Sequence, residues 1–243
     1  MCGRYASVRS RQQLMQLFAA EKTDGEEPLR EDYNVAPTKK APAVLAKAPD
    51  DGPKDADPVR QLRVLRWGLI PSWAKDRKKA FNNARAETVH EKPSFKRAFG
   101  ARRCLIPIEG FYEWFPVEGE EGAKKPVKQP YFLHAQDGGV LAAAGIYEYW
   151  RDPELADDDP ELWVPRFTIL TTQATDDVGH IHDRMPMVVT PDNWEAWLDP
   201  RLSDVEHIRS LMAPPAKGSL EVYPVSTLVN VVRNNGPQLI ERV

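Results

Sequence analysis

The sequence predicts an α+β fold, a single domain built on a curled, barrel-like and mostly antiparallel β-sheet with a few short peripheral helices. Three observations point there. Apolar or alternating runs of about four to eight residues recur along the chain, separated by Gly, Pro, Asn and Asp, the pattern of short strands joined by turns. Only four stretches carry helical spacing. No repeat, low-complexity tail or linker divides residues 1–243 into separately cored halves, so one domain is expected.

Gly3–Ser7 reads as the first strand. Ser10 with Gln13 makes a capping-box pattern that opens an amphipathic helix through Leu14, Leu17 and Phe18. Residues 21–32 are polar and read as a loop. Tyr33–Thr38 is extended, because Pro37 pushes the residue before it out of the helical region. Ala43–Ala46 is a strand, and the Asp- and Pro-rich residues 49–58 a solvated hairpin loop. Within Leu62–Leu69, Leu62 and Val64 alternate with Arg63, as in a half-buried strand. Phe81–Ala86 reads as a strand or a tight functional loop. Ser94–Phe99 suits a short helix, with Pro93 near its start and Gly100 just past its end. Cys104–Ile108 and Phe111–Phe115 are strands flanking Glu109-Gly110, and residues 117–126 a charged loop. Tyr131–His134, Leu141–Tyr147 and Phe167–Thr171 are strands, and residues 152–161 an acidic insertion. Asp192–Leu198 and Ser203–Met212 are helices with Asp or Ser caps, and Val222–Val225 is the last strand.

Composition narrows the function classes. Apolar residues make up 42% of the chain, enough for a real core. The net charge is −3, yet residues 60–104 hold 13 Lys and Arg against 3 Asp and Glu. That asymmetry reads either as a positive surface on an acidic body or as a solvated charge run. Cys2 and Cys104 are the only cysteines and no CxxC occurs, which argues against a disulfide scaffold or a structural zinc site. Cys104 lies in an apolar run and reads as a buried thiol. There is no secretory apolar region and no apolar stretch of about 20 residues. A soluble, cytoplasmic protein without membrane contact is expected, with a monomer as the default.

Four features can carry chemistry: Cys2-Gly3-Arg4, Asn83-Ala84-Arg85-Ala86-Glu87-Thr88, Glu109-Gly110-Phe111-Tyr112-Glu113-Trp114 and Ile181-His182-Asp183-Arg184-Met185-Pro186. If Met1 is removed, Cys2 carries an α-amine and a thiol on adjacent carbons. The amine condenses with an aldehyde, and the thiol then closes a five-membered thiazolidine. The unperturbed groups titrate at about 7.7–8.0 and about 8.5, so both have a reactive fraction near neutral pH. Each feature also has an ordinary reading. Asn83-Ala84-Arg85 can be a turn, Glu113 the outward residue of an alternating strand, and His182 a surface histidine. His180 and His182 are two apart, but no other ligand set has suitable spacing, so no metal is expected.

In this order and with these neighbours, the features resemble the SRAP-domain family, the SOS response-associated peptidases, whose members crosslink to abasic sites in single-stranded DNA. The resemblance runs from Met1-Cys2-Gly3-Arg4-Tyr5 through Tyr33-Asn34-Val35-Ala36-Pro37, Arg66-Trp67-Gly68-Leu69-Ile70-Pro71 and Lys128-Gln129-Pro130-Tyr131 to Asn230-Val231-Val232. The acidic stretches near residues 50–57 and 152–161 lie outside its motifs.

The resemblance implies that Cys2 is the nucleophile, with Asn83, Glu113 and His182 as its catalytic partners and no cofactor. His182 would shuttle the proton that opens the sugar. Glu113 would protonate the departing hydroxyl, which requires a raised pKa in a buried site flanked by Tyr112 and Trp114. Asn83 would fix the amine without adding charge. The implied partner is single-stranded DNA containing abasic sites. Arg4, Arg85 and Arg184 are candidates for phosphates, and Asn34 and Pro37 for DNA contact. Trp67 and Trp73 are candidates for base stacking, with core packing an equal reading for Trp67. Lys75, Arg77, Lys78 and Lys79 would add a salt-sensitive term. Two other readings compete: a cysteine peptidase or amidase with His182 as the base of Cys2, and a non-catalytic single-strand binder.

Overall fold

The strands of the computed structural model form two curled sheets. The model describes residues 2–24, 28–49, 56–117, 127–163, 165–174, 179 and 181–243. Met1, His180, residues 25–27 and most of the loops expected at 49–58 and 117–126 lie outside the described residues.

The smaller sheet is antiparallel throughout. It runs Leu220–Pro224 (β13), Val127–Ala135 (β9), Gly110–Val117 (β8), Tyr5–Ser7 (β1) and Asp32–Val35 (β3). The larger runs Arg184–Pro186 (β12), Pro165–Gln173 (β11), Leu141–Tyr149 (β10), Arg103–Ile108 (β7), Lys40–Lys47 (β4), Val59–Trp67 (β5) and Lys22–Thr23 (β2). Asn83–Arg85 (β6) joins it in parallel on β11. β11 also meets β5 in parallel through Arg166 opposite Arg66 and Phe167 opposite Trp67. This contact is only two residue pairs long, so the sheet curls back on itself without closing into a barrel.

Apolar side chains pack on both faces of the curled sheet. Trp67, Phe167, Tyr5 and Cys104 fill one buried cluster that also contains Cys2. The other face receives Arg11–Leu17 (α1), Lys96–Ala101 (α2), Trp194–Leu198 (α3) and Val205–Ser210 (α4) through Leu14, Phe99, Trp197 and Ile208. The capping box of α1 forms as expected: the Gln13 N–H donates to Ser10 Oγ at 3.2 Å and the Ser10 N–H to Gln13 Oε1 at 2.9 Å. Gly100 is inside α2 rather than past its end. The turns after Pro93 delay the helix, and Gly100 has open space around it, so no C-cap geometry demands a glycine there.

The basic stretch does not form one positive face. Arg103 is buried and donates to the carbonyls of Phe99, Trp197, Asp199 and Leu202. Arg77 pairs with buried Asp152 at 2.6 Å, and Glu161 takes Arg66 at 2.6 Å and also Lys40. The acidic insertion therefore neutralises part of it.

β8 carries the strictest local requirement. A Cβ on Gly110 would sit 2.3 Å from Phe132 Cζ and 2.7 Å from the Leu133 carbonyl oxygen. Gly110→Ala is expected to destabilise the protein by about 1–3 kcal/mol, the usual range for overpacking, and a lowered denaturation midpoint checks this.

Candidate active site

Cys2, Gly3 and Arg4 lie beside β8. The register pairs Tyr5 with Phe111 and Ala6 with Gly110, and the Tyr112 N–H donates to the Arg4 carbonyl at 2.9 Å. Continuing by one residue sets Gly3 opposite Glu113. On the other side, β6 is held against β11, with Asn83 opposite Ile169. From there the Asn83 Nδ2 donates to the Cys2 carbonyl at 2.8 Å. Asn83 Oδ1 is buried and has no hydrogen-bond partner among the described residues. β12 pairs with the far end of β11 and brings His182, two residues before it, to the same place. His182 Nε2 lies 3.9 Å from Glu113 Oε2.

The electrostatics follow from burial. Glu113 is 4% exposed, and desolvation pushes its carboxyl up to about 7. Tyr112 does not flank it as expected: strand alternation turns Tyr112 away, its hydroxyl donating to the Tyr33 carbonyl at 2.7 Å and its ring against Phe132. Burial first, and then the Glu113 carboxylate, pushes the Cys2 thiol well above the ordinary range. Burial also lowers His182. Its Nδ1 accepts the Arg184 backbone N–H at 3.0 Å, which puts the proton of the neutral ring on Nε2, facing Glu113. Asp183 Oδ1 is 2.9 Å from the same Nδ1, a contact suited only to the protonated ring. Burial and the fixed backbone donor favour the neutral form.

An open pocket of about 490 Å³ lies over this arrangement, lined by Gly3, Arg4, Glu113 and His182, and also by Trp114, Lys128 and Asn230. Of the last three, only Trp114 had a role from sequence, that of flanking Glu113. Lys128 and Asn230 were visible only as members of family-like motifs, and Trp114 only as the neighbour of Glu113.

Several expected DNA contacts are corrected by the structure. Trp67 is fully buried, stacked on Phe167 with centroids 6.2 Å apart, and its Nε1 donates to the Asn82 carbonyl at 2.8 Å. It cannot stack on a base; it anchors the segment that delivers Asn83. Asn34 is also fully buried. Its Oδ1 accepts from Arg4 Nη1 at 2.7 Å, and its Nδ2 lies within 3.0–3.2 Å of the carbonyls of Val229, Val231 and Asn234. It holds Arg4 rather than touching a ligand. Arg184 is spent on Glu87, bidentate at 2.8 and 2.9 Å, and on the Thr171 carbonyl at 2.5 Å. That pairing drives the Glu87 carboxyl down to about 2 and ties β12 to β11.

The remaining candidates stay accessible. Arg85 shares the Asn83 face of β6, is exposed and has no ion pair among the described residues. Trp73 is 52% exposed, with Lys79 Nζ 4.7 Å from its ring. Pro37 is half-buried at the turn after β3, beside Thr38 with φ +76°.

The family model described as SOS response associated peptidase (SRAP) matches residues 1–232. The chain belongs to the SRAP family. The Bacillus subtilis abasic site processing protein YoqW is 36% identical over 243 residues, covering 99% of both chains. The Gallus gallus abasic site processing protein HMCES is 31% identical, covering 99% of this chain and 77% of its own. The SRAP fold is also seen in a crystal structure of a Bacteroides thetaiotaomicron protein, at 27% identity and a TM-score of 0.78 with both chains fully covered. Among the described residues of this SRAP chain, no group of three or more His, Cys, Asp or Glu is placed to hold a metal. No helix there is long and apolar enough to cross a membrane.

Proposed function

We propose that this chain processes abasic sites in single-stranded DNA by capturing them as a thiazolidine on Cys2, after Met1 has been removed. The observation that carries the reading is a convergence. Asn83 binds the Cys2 carbonyl, while a buried carboxyl able to keep a proton near neutral pH lies beside Gly3 and faces His182. The names of the relatives support the substrate class.

The chemistry orders itself by these environments. The neutral His182 Nε2–H faces Glu113, so the pair can pass the proton that opens the sugar hemiacetal to its aldehyde. The α-amine attacks that carbon. Asn83 Oδ1, left without a partner, is the acceptor that orients the amine. Protonated Glu113 gives its proton to the departing hydroxyl, water leaves, and an iminium remains. The thiol, neutral because it is buried, adds to the iminium carbon and returns its proton to the Glu113 carboxylate. The sum is aldehyde plus aminothiol giving thiazolidine plus one water. Holding the thiol beside the iminium can supply about 7–11 kcal/mol through positioning.

An acyl-transfer reading finds less support. A cysteine peptidase needs a thiol activated by a histidine. Here burial and Glu113 raise the thiol, and His182 faces Glu113.

Intact-mass analysis after incubation with single-stranded DNA carrying one abasic site tests the proposal. The expected species is the chain without Met1 plus one DNA strand minus one water. No adduct, or an ester-type acyl species, would overturn it. Arg85→Ala is expected to weaken DNA binding and to reduce the slope of log affinity against log salt by about 0.7, one single-strand phosphate contact. Binding titrations at several salt concentrations check this, and an unchanged slope would give Arg85 a structural role.

A further inference from the structure

Two of the family-like motifs, Lys128-Gln129-Pro130-Tyr131 and Asn230-Val231-Val232, have no part in the chemistry above. They lie about 100 residues apart in sequence, yet both reach the same pocket and both surround Trp114. The pairing of β8 with β9 puts Trp114 opposite Pro130 and Pro116 opposite Lys128. Partners in an antiparallel pair share a face, so Trp114 and Lys128 project from the same side. Arg4, opposite Tyr112, projects there too, its guanidinium 5.9 Å from the Trp114 ring centroid. Glu113 alternates with Trp114 along the strand and lines the same pocket.

The indole is fixed before any ligand arrives. Its Nε1 donates to Asn230 Oδ1 at 2.6 Å, and its inner side packs on the cluster of Tyr112, Phe132 and Val229. Its remaining surface lines the pocket. Lys128 is exposed and has no ion pair among the described residues. The Nδ2 of Asn230 likewise has no hydrogen-bond partner among them. A half-buried aromatic with a free cation and a free amide donor at its edge matches a nucleotide, with its base on the ring and its phosphate on the ammonium.

We propose that Trp114, Lys128 and Asn230 form a subsite for the intact nucleotide adjoining the abasic sugar. This rests on the reading that single-stranded DNA enters the pocket. The subsite gives the protein a grip on the base beside the gap, so it registers a missing base against a neighbour that is present. Trp114 and Lys128 are positioning residues; the reacting atoms belong to Cys2, Asn83, Glu113 and His182.

The test uses two fluorescent single-stranded oligonucleotides. Both carry an unreactive tetrahydrofuran abasic analogue at the centre. One keeps its flanking bases, and the other has tetrahydrofuran on each side as well. Fluorescence anisotropy with the wild-type chain is expected to give about fivefold or tighter binding to the base-flanked strand, within the usual range for one stacked base. Trp114→Leu should erase that preference. Lys128→Gln, an exposed substitution that does not threaten folding, should weaken both strands alike and lower the salt slope by about 0.7. Equal affinity of the wild type for the two strands would overturn the proposal, as would an unchanged salt slope in Lys128→Gln. Because the analogue cannot form an imine, the result is independent of the covalent chemistry. An adduct with a true abasic site but no flank preference removes the subsite alone, and a flank preference without an adduct removes the chemistry alone.

Discussion

Cys2→Ala is expected to reduce the heat-stable DNA adduct to background while leaving non-covalent binding of single-stranded DNA within about twofold. The residue is fully buried and its carbonyl, which the substitution keeps, is what Asn83 holds. The variant still presents an α-amine once Met1 is lost, so it can still form an imine. Borohydride should therefore trap a covalent species with Cys2→Ala that heating destroys when the reductant is omitted. Denaturing gels with and without reductant read both results. A heat-stable adduct without the thiol would exclude thiazolidine closure. Failure of borohydride to trap anything would point to the thiol, and thus to an acyl-type or thiohemiacetal reaction, as the first nucleophile.

Glu113→Gln is expected to slow adduct formation by about 10²-fold or more at pH 7, the range for losing a general acid, with affinity within about twofold. The pH dependence is more diagnostic than the rate. With its pKa raised from 4.5 to about 7, the folded carboxyl holds a proton that the unfolded chain releases. The folded state thus binds more protons across that window, and stability falls as pH rises through it. Below pH 4.5 the contribution is fully present; above about 7 it is lost. Glutamine cannot ionise, so Glu113→Gln should gain stability relative to wild type on going from pH 5 to pH 8.5, by up to about 3 kcal/mol. Its adduct rate should also lack the decline that the wild type shows above pH 7 as the acid form disappears. Melting temperatures and single-turnover rates at both pH values check this. A wild-type rate with no such decline would mean that Glu113 does not act as the acid.

The strands were legible in the sequence wherever apolar side chains line the interior. Cys104–Ile108, Leu141–Tyr147 and Phe167–Thr171 all lie inside observed strands. The capping box at Ser10 was legible because it is local chemistry. What the sequence hid is set by partners distant in the chain. β12 is three residues long and exists through its pairing with β11. The fate of the arginines was equally hidden. Arg85 and Arg184 both follow a candidate catalytic residue closely, yet one is exposed and the other clamped by Glu87, 97 residues away. Trp67 and Trp73 differ in the same manner, because only the register of β5 against β11 puts Trp67 inside. Side-chain type indicated which groups can react; only tertiary pairing distinguished those that face the pocket from those that build it.

The bonds of Asn34 carry a consequence for biosynthesis. Its amide ties the N-terminal strands to carbonyls 195 to 200 positions further along, and Arg4 is fastened to the same carbonyl at Val229. A ribosome must therefore translate as far as Asn234 before this knot can be drawn. Until then Arg4 and Asn34 lack the carbonyls that hold them in the folded chain.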